Sequence, residues 1–177
     1  MKILITCILS MLSVCVSAAN DELASKVLAT HDGGPDIREL NWINRNFMDK
    51  QRETVNELTA THFGKRMSGD RSDLALLQRV VNEELIESTD TPSLQALGVV
   101  LGDVFVNENK NLQWRVYEDD LGATQAVCVR DSKNCLFPIT MLSRRMEVGL
   151  KPDIDRIYAT NLDELKPYLP KLPFSAK

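Results

Sequence analysis

The hydrophobic period changes along this chain, and each change predicts an element. Ile3 to Val16 is apolar almost without a break, interrupted only by Thr6, Ser10, Ser13 and two cysteines. Beyond it, apolar positions recur at helical spacing. Asp21 to Thr30 fits a short helix with Leu23, Val27 and Leu28 on one side, ended by the breaker segment His31-Asp32-Gly33-Gly34-Pro35-Asp36. Leu40, Ile43, Phe47, Thr54, Val55, Leu58 and His62 predict a second helix with these positions inward, stopped at Gly64. After the polar loop Ser68-Gly69-Asp70-Arg71, Ser72 is the expected cap of a helix that turns Leu74, Leu77, Val80, Val81 and Leu85 inward. Thr91-Pro92 reads as a start signal, a capping hydroxyl followed by proline in the first turn. The helix it opens runs to about Asn107. Between Leu94 and Val106 it is apolar nearly all round except at Asp103, the pattern of a helix buried on most sides.

From Leu112 the period falls to two. Leu112, Trp114 and Val116 alternate with Gln113, Arg115 and Tyr117, and Asp119 to Gly122 makes a turn. Thr124 to Val129 and Cys135 to Ile139 complete a three-stranded antiparallel meander. Pro138 ends the third strand and leads into a helix, Thr140 to Glu147, stopped by Gly149. Asn161 and Glu164 suit a capping box for a last helix ending near Tyr168-Leu169-Pro170. The predicted fold class is α+β: N-terminal helices with a buried central helix, the meander, then C-terminal helices.

The first apolar stretch has the three parts of a secretory signal peptide. Lys2 is the positive start, Ser17-Ala18-Ala19 supplies small residues, and Asn20-Asp21-Glu22 is abruptly polar. It is too short to span a bilayer, which takes about 20 apolar residues. The expected organisation is a signal peptide over 1–19, cut after Ala18 or Ala19, a single domain over 20–170 and a flexible tail over 171–177. Leu12-Ser13-Val14-Cys15 resembles a lipoprotein box. Val14 is not small and the small-residue site follows Cys15, so a lipid anchor at Cys15 is not expected. The address implied is outside the cytoplasm, with no membrane span in the mature chain.

Loss of Lys2 with the leader leaves 20 basic and 25 acidic side chains, net −5. That mild acidity, with scattered basic residues, argues against a nucleic-acid partner. Cys128 and Cys135 are the pair left in the mature chain. A four-residue loop closed by Val129 and Asn134 sets them opposite each other in a non-hydrogen-bonded position, where side chains come closest. In an oxidising compartment that spacing predicts a disulfide across the hairpin; two buried thiols are the alternative.

From Phe47 onward the chain carries a set of motifs. Phe47-Met48-Asp49-Lys50-Gln51-Arg52 and Leu74-Ala75-Leu76-Leu77-Gln78 come first. The run Leu94-Gln95-Ala96-Leu97-Gly98-Val99-Val100-Leu101-Gly102-Asp103 follows, then Trp114-Arg115-Val116-Tyr117-Glu118-Asp119 with Leu121-Gly122. Leu136-Phe137-Pro138-Ile139-Thr140-Met141 and Ser143-Arg144-Arg145 close the series. In these motifs the chain resembles a family of small bacterial proteins classed as a domain of unknown function. The resemblance implies a bacterial source and hence a periplasmic address. It implies no activity, substrate or cofactor, and the cysteine pair lies outside its pattern.

Asp103 is the residue on which candidate chemistry centres. A carboxylate in an apolar helix must be paired, protonated or at a surface. Arg144 or Arg145 is the expected partner, either as a structural ion pair between two helices or as part of a pocket. Gly98 and Gly102, four apart, predict close approach of another element. Glu118-Asp119-Asp120 reads as a solvated turn. Arg115 and Tyr117 are a candidate partner-binding surface if no helix covers that face of the strand. His62, beside the apolar face of its helix, reads as packed, and no nucleophile elbow, His-Glu-x-x-His or Cys-x-x-Cys accompanies it. No metal and no cofactor is expected. The leading functional reading is a non-catalytic binding module for another envelope protein. The alternative is a hydrolase or small-ligand carrier built on Asp103, Arg144 and His62.

Overall fold

The computed structural model describes residues 34–170. The leader, the helix expected over 21–30 and the tail from 171 onward lie outside these residues. All but Gly34 fall in one unit, Pro35–Lys177. Five helices are described: α1 (Trp42–Phe63), α2 (Asp73–Asn82), α3 (Thr91–Glu108), α4 (Pro138–Met146) and α5 (Ile154–Leu165), the last continued by a 3-10 turn at Lys166–Tyr168. Four strands, β1 (Asp36–Arg38), β2 (Leu112–Asp119), β3 (Gly122–Val129) and β4 (Cys135–Leu136), form an antiparallel sheet in chain order. The class is α+β, as the periodicity predicts.

The central helix is α3, in which every residue from Ala96 to Gly102 is buried. Around it close Leu77 and Val80 of α2, Leu112 of β2, Val127 and Val129 of β3, Leu142 of α4 and Ile154 of α5. Phe105 stacks on Tyr158 of α5 at 4.6 Å between ring centres. A second, smaller cluster joins Met48 of α1, Val99 of α3 and Ile139 of α4. Gly98 is what lets α4 in: a Cβ there would stand 2.4 Å from the Ile139 Cα and 2.4 Å from the Pro138 carbonyl oxygen.

The sheet has a strand more than the alternation predicts. β1 falls partly in the segment read as a breaker, and three residues are too few to show a period. It pairs Ile37 with Tyr117 and is held by an Arg38–Glu118 ion pair at 2.8 Å. At the other edge β4 stops at Leu136 and Pro138 opens α4, so the expected third strand is shorter and the helix begins earlier.

Three caps are displaced from their expected positions. Asp90, not Thr91, caps α3: its carboxylate accepts the Ser93 N–H at 3.2 Å. The Thr91 hydroxyl donates to Glu147 instead, at 2.9 Å. Ser72 has helical dihedrals and makes no side-chain cap bond. The loop before α2 is fastened by buried Asp73, which accepts the N–H and hydroxyl of Ser68 at 2.9 and 3.0 Å and the Gly69 N–H at 2.7 Å. Asn161 lies inside α5, donating to the Ile157 carbonyl at 2.7 Å, while Asp153 supplies the cap by accepting the Arg156 N–H.

The phase of α1 also departs from expectation. Its buried positions are Met48, Gln51, Val55 and Thr59. Phe47 lies about 100° round the helix from Met48. It and Ile43 therefore face solvent, as does Trp42. Gly64 ends the helix as expected, in the left-handed conformation at φ 65°.

Candidate functional site

Asp103 is met by α1, not by α4. The Arg52 guanidinium forks onto it, Nε to Oδ2 at 2.7 Å and Nη2 to Oδ1 at 2.8 Å. The third nitrogen of Arg52 reaches Asp49 one turn earlier on α1, at 2.7 Å. The Trp114 indole N–H of β2 donates to Asp103 Oδ1 at 2.9 Å. One carboxylate thus ties α1, α3 and β2 together. The pairing with Arg144 or Arg145 is replaced by this one, because Arg52 comes from the helix packed along α3 while the two α4 arginines are turned to solvent.

Charge and hydrogen bonding agree on the state of the site. The bidentate bond to Asp103 raises the Arg52 pKa above its ordinary value, against the opposing effect of burial. Asp103 accepts three hydrogen bonds and sits against a fixed positive charge.

A cavity of about 380 Å³ opens beside the pair, lined by Arg52, Asn56, Ser68, Asp73, Asp103 and Asn107 among others. Its polar groups are engaged in fastening the loop before α2. Asn56 accepts the Met67 N–H at 2.8 Å, and Asn107 donates to the Gly69 carbonyl at 2.8 Å. Asp73 is the residue that sequence reading missed here; its place just inside a helix start was the available signal, obscured by Ser72 next to it.

The other candidates are dispersed. Arg144 and Arg145 line a groove of about 640 Å³ with Phe137, Met141, Val148 and Leu150. His62 is exposed at the end of α1, edge-on to Phe63 at 6.3 Å, and lines a different hollow with Glu57 and Asp90. Asp103, Arg144 and His62 therefore do not converge in one pocket. Arg115 forms an ion pair with Glu39, and Tyr117 packs edge-on against Phe137 at 5.0 Å. Both side chains of that proposed surface are thus partly used within the domain. Of the acidic turn, Glu118 holds Arg38, and Asp119 accepts the Leu121 N–H at 2.9 Å.

Cys128 and Cys135 are paired in register and joined, with Cα atoms 4.0 Å apart. The Val129 N–H bonds to the Asn134 carbonyl at 2.9 Å, closing the loop as the spacing predicts. Among the described residues no group of three or more His, Cys, Asp or Glu side chains is placed to hold a metal ion. Among them, too, no helix is long and apolar enough to cross a membrane.

The apolar surface that stands out is at the start of α1. Trp42 is 76% exposed and Ile43 68%, with Phe47 beside Ile43 one turn on. This first turn is pinned by a reciprocal box: Asn41 accepts the Asn44 N–H at 2.9 Å and Asn44 accepts the Asn41 N–H at 3.2 Å.

No curated protein matches the chain. Among solved structures it is similar to a crystal structure from Bacteroides thetaiotaomicron VPI-5482, with 15% identity and a TM-score of 0.68. That similarity covers 74% of this chain and 48% of the other, so the chain spans about half the length of its neighbour, and the likeness is one of fold. Residues 73–158, from the start of α2 to the middle of α5, match the family model of DUF3806, a domain of unknown function, in line with the expected resemblance to such a domain.

Proposed function

We propose that this chain is an exported, non-catalytic interaction module that docks a protein partner in the cell envelope through the first turns of α1. The observation that carries the reading is the exposure of Trp42 and Ile43, with Phe47, on a helix start held in place by the Asn41–Asn44 box. Tryptophan is among the side chains most enriched in binding hot spots. A preorganised turn also loses little entropy when a partner orders it. The Asp103–Arg52 pair supports the same reading by committing the most interesting acid to architecture. Export follows from the leader, and a periplasmic address from the bacterial resemblance.

The test expresses the full chain in a Gram-negative host with a photo-cross-linking amino acid at Ile43, and at Leu121 as a control. A discrete periplasmic adduct from Ile43 alone, lost on Trp42→Ser, is the expected result. Adducts that are the same from both positions, or protein that stays in the cytoplasm with Met1 attached, contradict the reading.

A further inference from the structure

A second surface differs in kind from the α1 patch. Past the end of α4 the chain exposes two apolar side chains close together, Val148 (72%) and Leu150 (59%). Gly149, at φ 77°, makes the turn between them, and the Leu150 N–H bonds back to the Arg145 carbonyl at 2.9 Å. The two apolar side chains are therefore fixed by a helix-ending motif. They rim the groove that Arg144 and Arg145 line.

The arginines there lack carboxylate partners among the described residues. Arg145 donates to the Met141 carbonyl of its own helix. The acids next along the chain are engaged elsewhere: Glu147 accepts the Thr91 hydroxyl at 2.9 Å, and Asp153 accepts the Arg156 N–H at 3.0 Å. The facing wall, from α5, contributes Asn161 and Glu164. The groove thus has an apolar rim, one basic wall and one wall with an amide and a carboxylate.

The geometry points to a docking groove for an acidic, apolar segment of a partner protein, its carboxylates against Arg144 and Arg145 and its apolar side chains over Val148 and Leu150. Charge complementarity selects this occupant. Two exposed guanidiniums with no carboxylate partner among the described residues can receive carboxylates. Glu164, on the α5 side of the groove, leaves the arginine side as the place for those carboxylates and can accept the N–H groups of a peptide backbone. The assignment rests on the reading of the chain as an interaction module only in taking a protein as the occupant.

The test measures fluorescence anisotropy of a short labelled peptide alternating aspartate with leucine, beside the same peptide with lysine for aspartate. The full chain should bind the acidic peptide and not the basic one. Arg144→Glu with Arg145→Glu should weaken binding by about tenfold or more, as should Val148→Asp, while Leu121→Asp leaves it unchanged. All variants should keep the parent's circular dichroism. Equal binding of both peptides, binding of neither, or indifference to the arginine changes overturns the assignment. So does binding of phosphatidylglycerol vesicles in place of the peptide, or a self-association that Val148→Asp abolishes. None of these outcomes bears on the cross-link from Ile43, so the two surfaces stand or fall separately.

Discussion

Trp114 covers Gly102. A Cβ at Gly102 would lie 2.1 Å from the Cζ2 of the indole, so the ring occupies the space that a side chain would take. That placement brings the indole N–H onto Asp103, the next residue of α3, at 2.9 Å. Glycine, tryptophan and aspartate here form one device in which a missing side chain aims a hydrogen bond.

Gly102→Ala should therefore act at a distance. The added methyl must displace the indole, break its bond to Asp103 and loosen the contact between α3 and β2. Overpacking of this sort costs about 1–3 kcal/mol. The denaturation midpoint should fall with the slope unchanged, and the near-ultraviolet signal of Trp114 should diminish. A midpoint equal to that of the parent would show that the ring moves aside freely.

The Arg52–Asp103 pair invites a sharper substitution. Arg52→Lys keeps the charge and loses the fork, and a lysine cannot serve Asp103 and Asp49 in the same planar arrangement. Removing one partner of a buried pair outright costs about 3–5 kcal/mol, an upper bound for a change that keeps the charge. Here the side chains are 32% and 18% exposed, so solvent screening reduces the effect to about 1–2 kcal/mol. Arg144→Ala should cost less than about 0.5 kcal/mol, as a surface change does. Urea denaturation of the variants side by side compares these values; if Arg144→Ala proved the more damaging, the assignment of the partner would be wrong.

What was legible in the chain was whatever leaves a period or a fixed spacing. The long apolar run from Leu94 announced a buried helix, and Leu112 to Val129 alternated plainly enough to give a hairpin. The seven-residue separation of Cys128 and Cys135 required nothing but strand arithmetic. Asp103 was recognisable as an acid in need of a partner, because burial makes that demand wherever the partner sits. Which arginine answers it depends on how α1 lies along α3, and no local pattern encodes a helix crossing. The caps failed by small steps for a related reason. Ser72 and Asp73, or Asp90 and Thr91, all have capping chemistry, and tertiary hydrogen bonds decide among them. Ile43 and Phe47 face solvent although they recur at helical spacing, because periodicity shows an apolar face without showing whether this chain covers it.

Asp73 should matter to the fold more than its surface-loop neighbours. It is 2% exposed and serves three donors of Ser68 and Gly69. Asp73→Ala leaves those donors without an acceptor, at a cost of about 2–3 kcal/mol. Amide exchange at Ser68 and Gly69 should accelerate in the variant before any change spreads to α3. Asp70→Ala, in the exposed part of the same loop, should leave exchange at Gly69 unchanged.

Joining Cys128 to Cys135 closes a short loop, so the chain-entropy contribution is about 2 kcal/mol. Expressed from residue 20 onward, which leaves out Cys7 and Cys15, the protein should show no reactive thiol when denatured without reductant. The double change Cys128→Ser and Cys135→Ser should fold, with a midpoint lowered by roughly that amount. Two titratable thiols in the purified protein would remove the bond from the account of this hairpin.

Tyr158 gives stability a dependence on alkaline pH. It is buried beneath Arg71, whose guanidinium lies 5.5 Å from the ring centre, and it stacks on Phe105. Burial raises its pKa above the ordinary 10.0, nearby Glu108 adds to the rise, and Arg71 opposes it. The folded state therefore holds the phenolic proton more tightly than the unfolded chain does. The contribution is fully present below pH 10.0 and declines as pH climbs from there through the folded value. Tyr158→Phe keeps the ring on Phe105 and removes the titration. Between pH 7 and pH 9 the two proteins should run parallel in stability; above pH 10 the parent should lose stability faster than the variant. Parallel curves across the whole range would mean that the Tyr158 hydroxyl reaches water in the folded state.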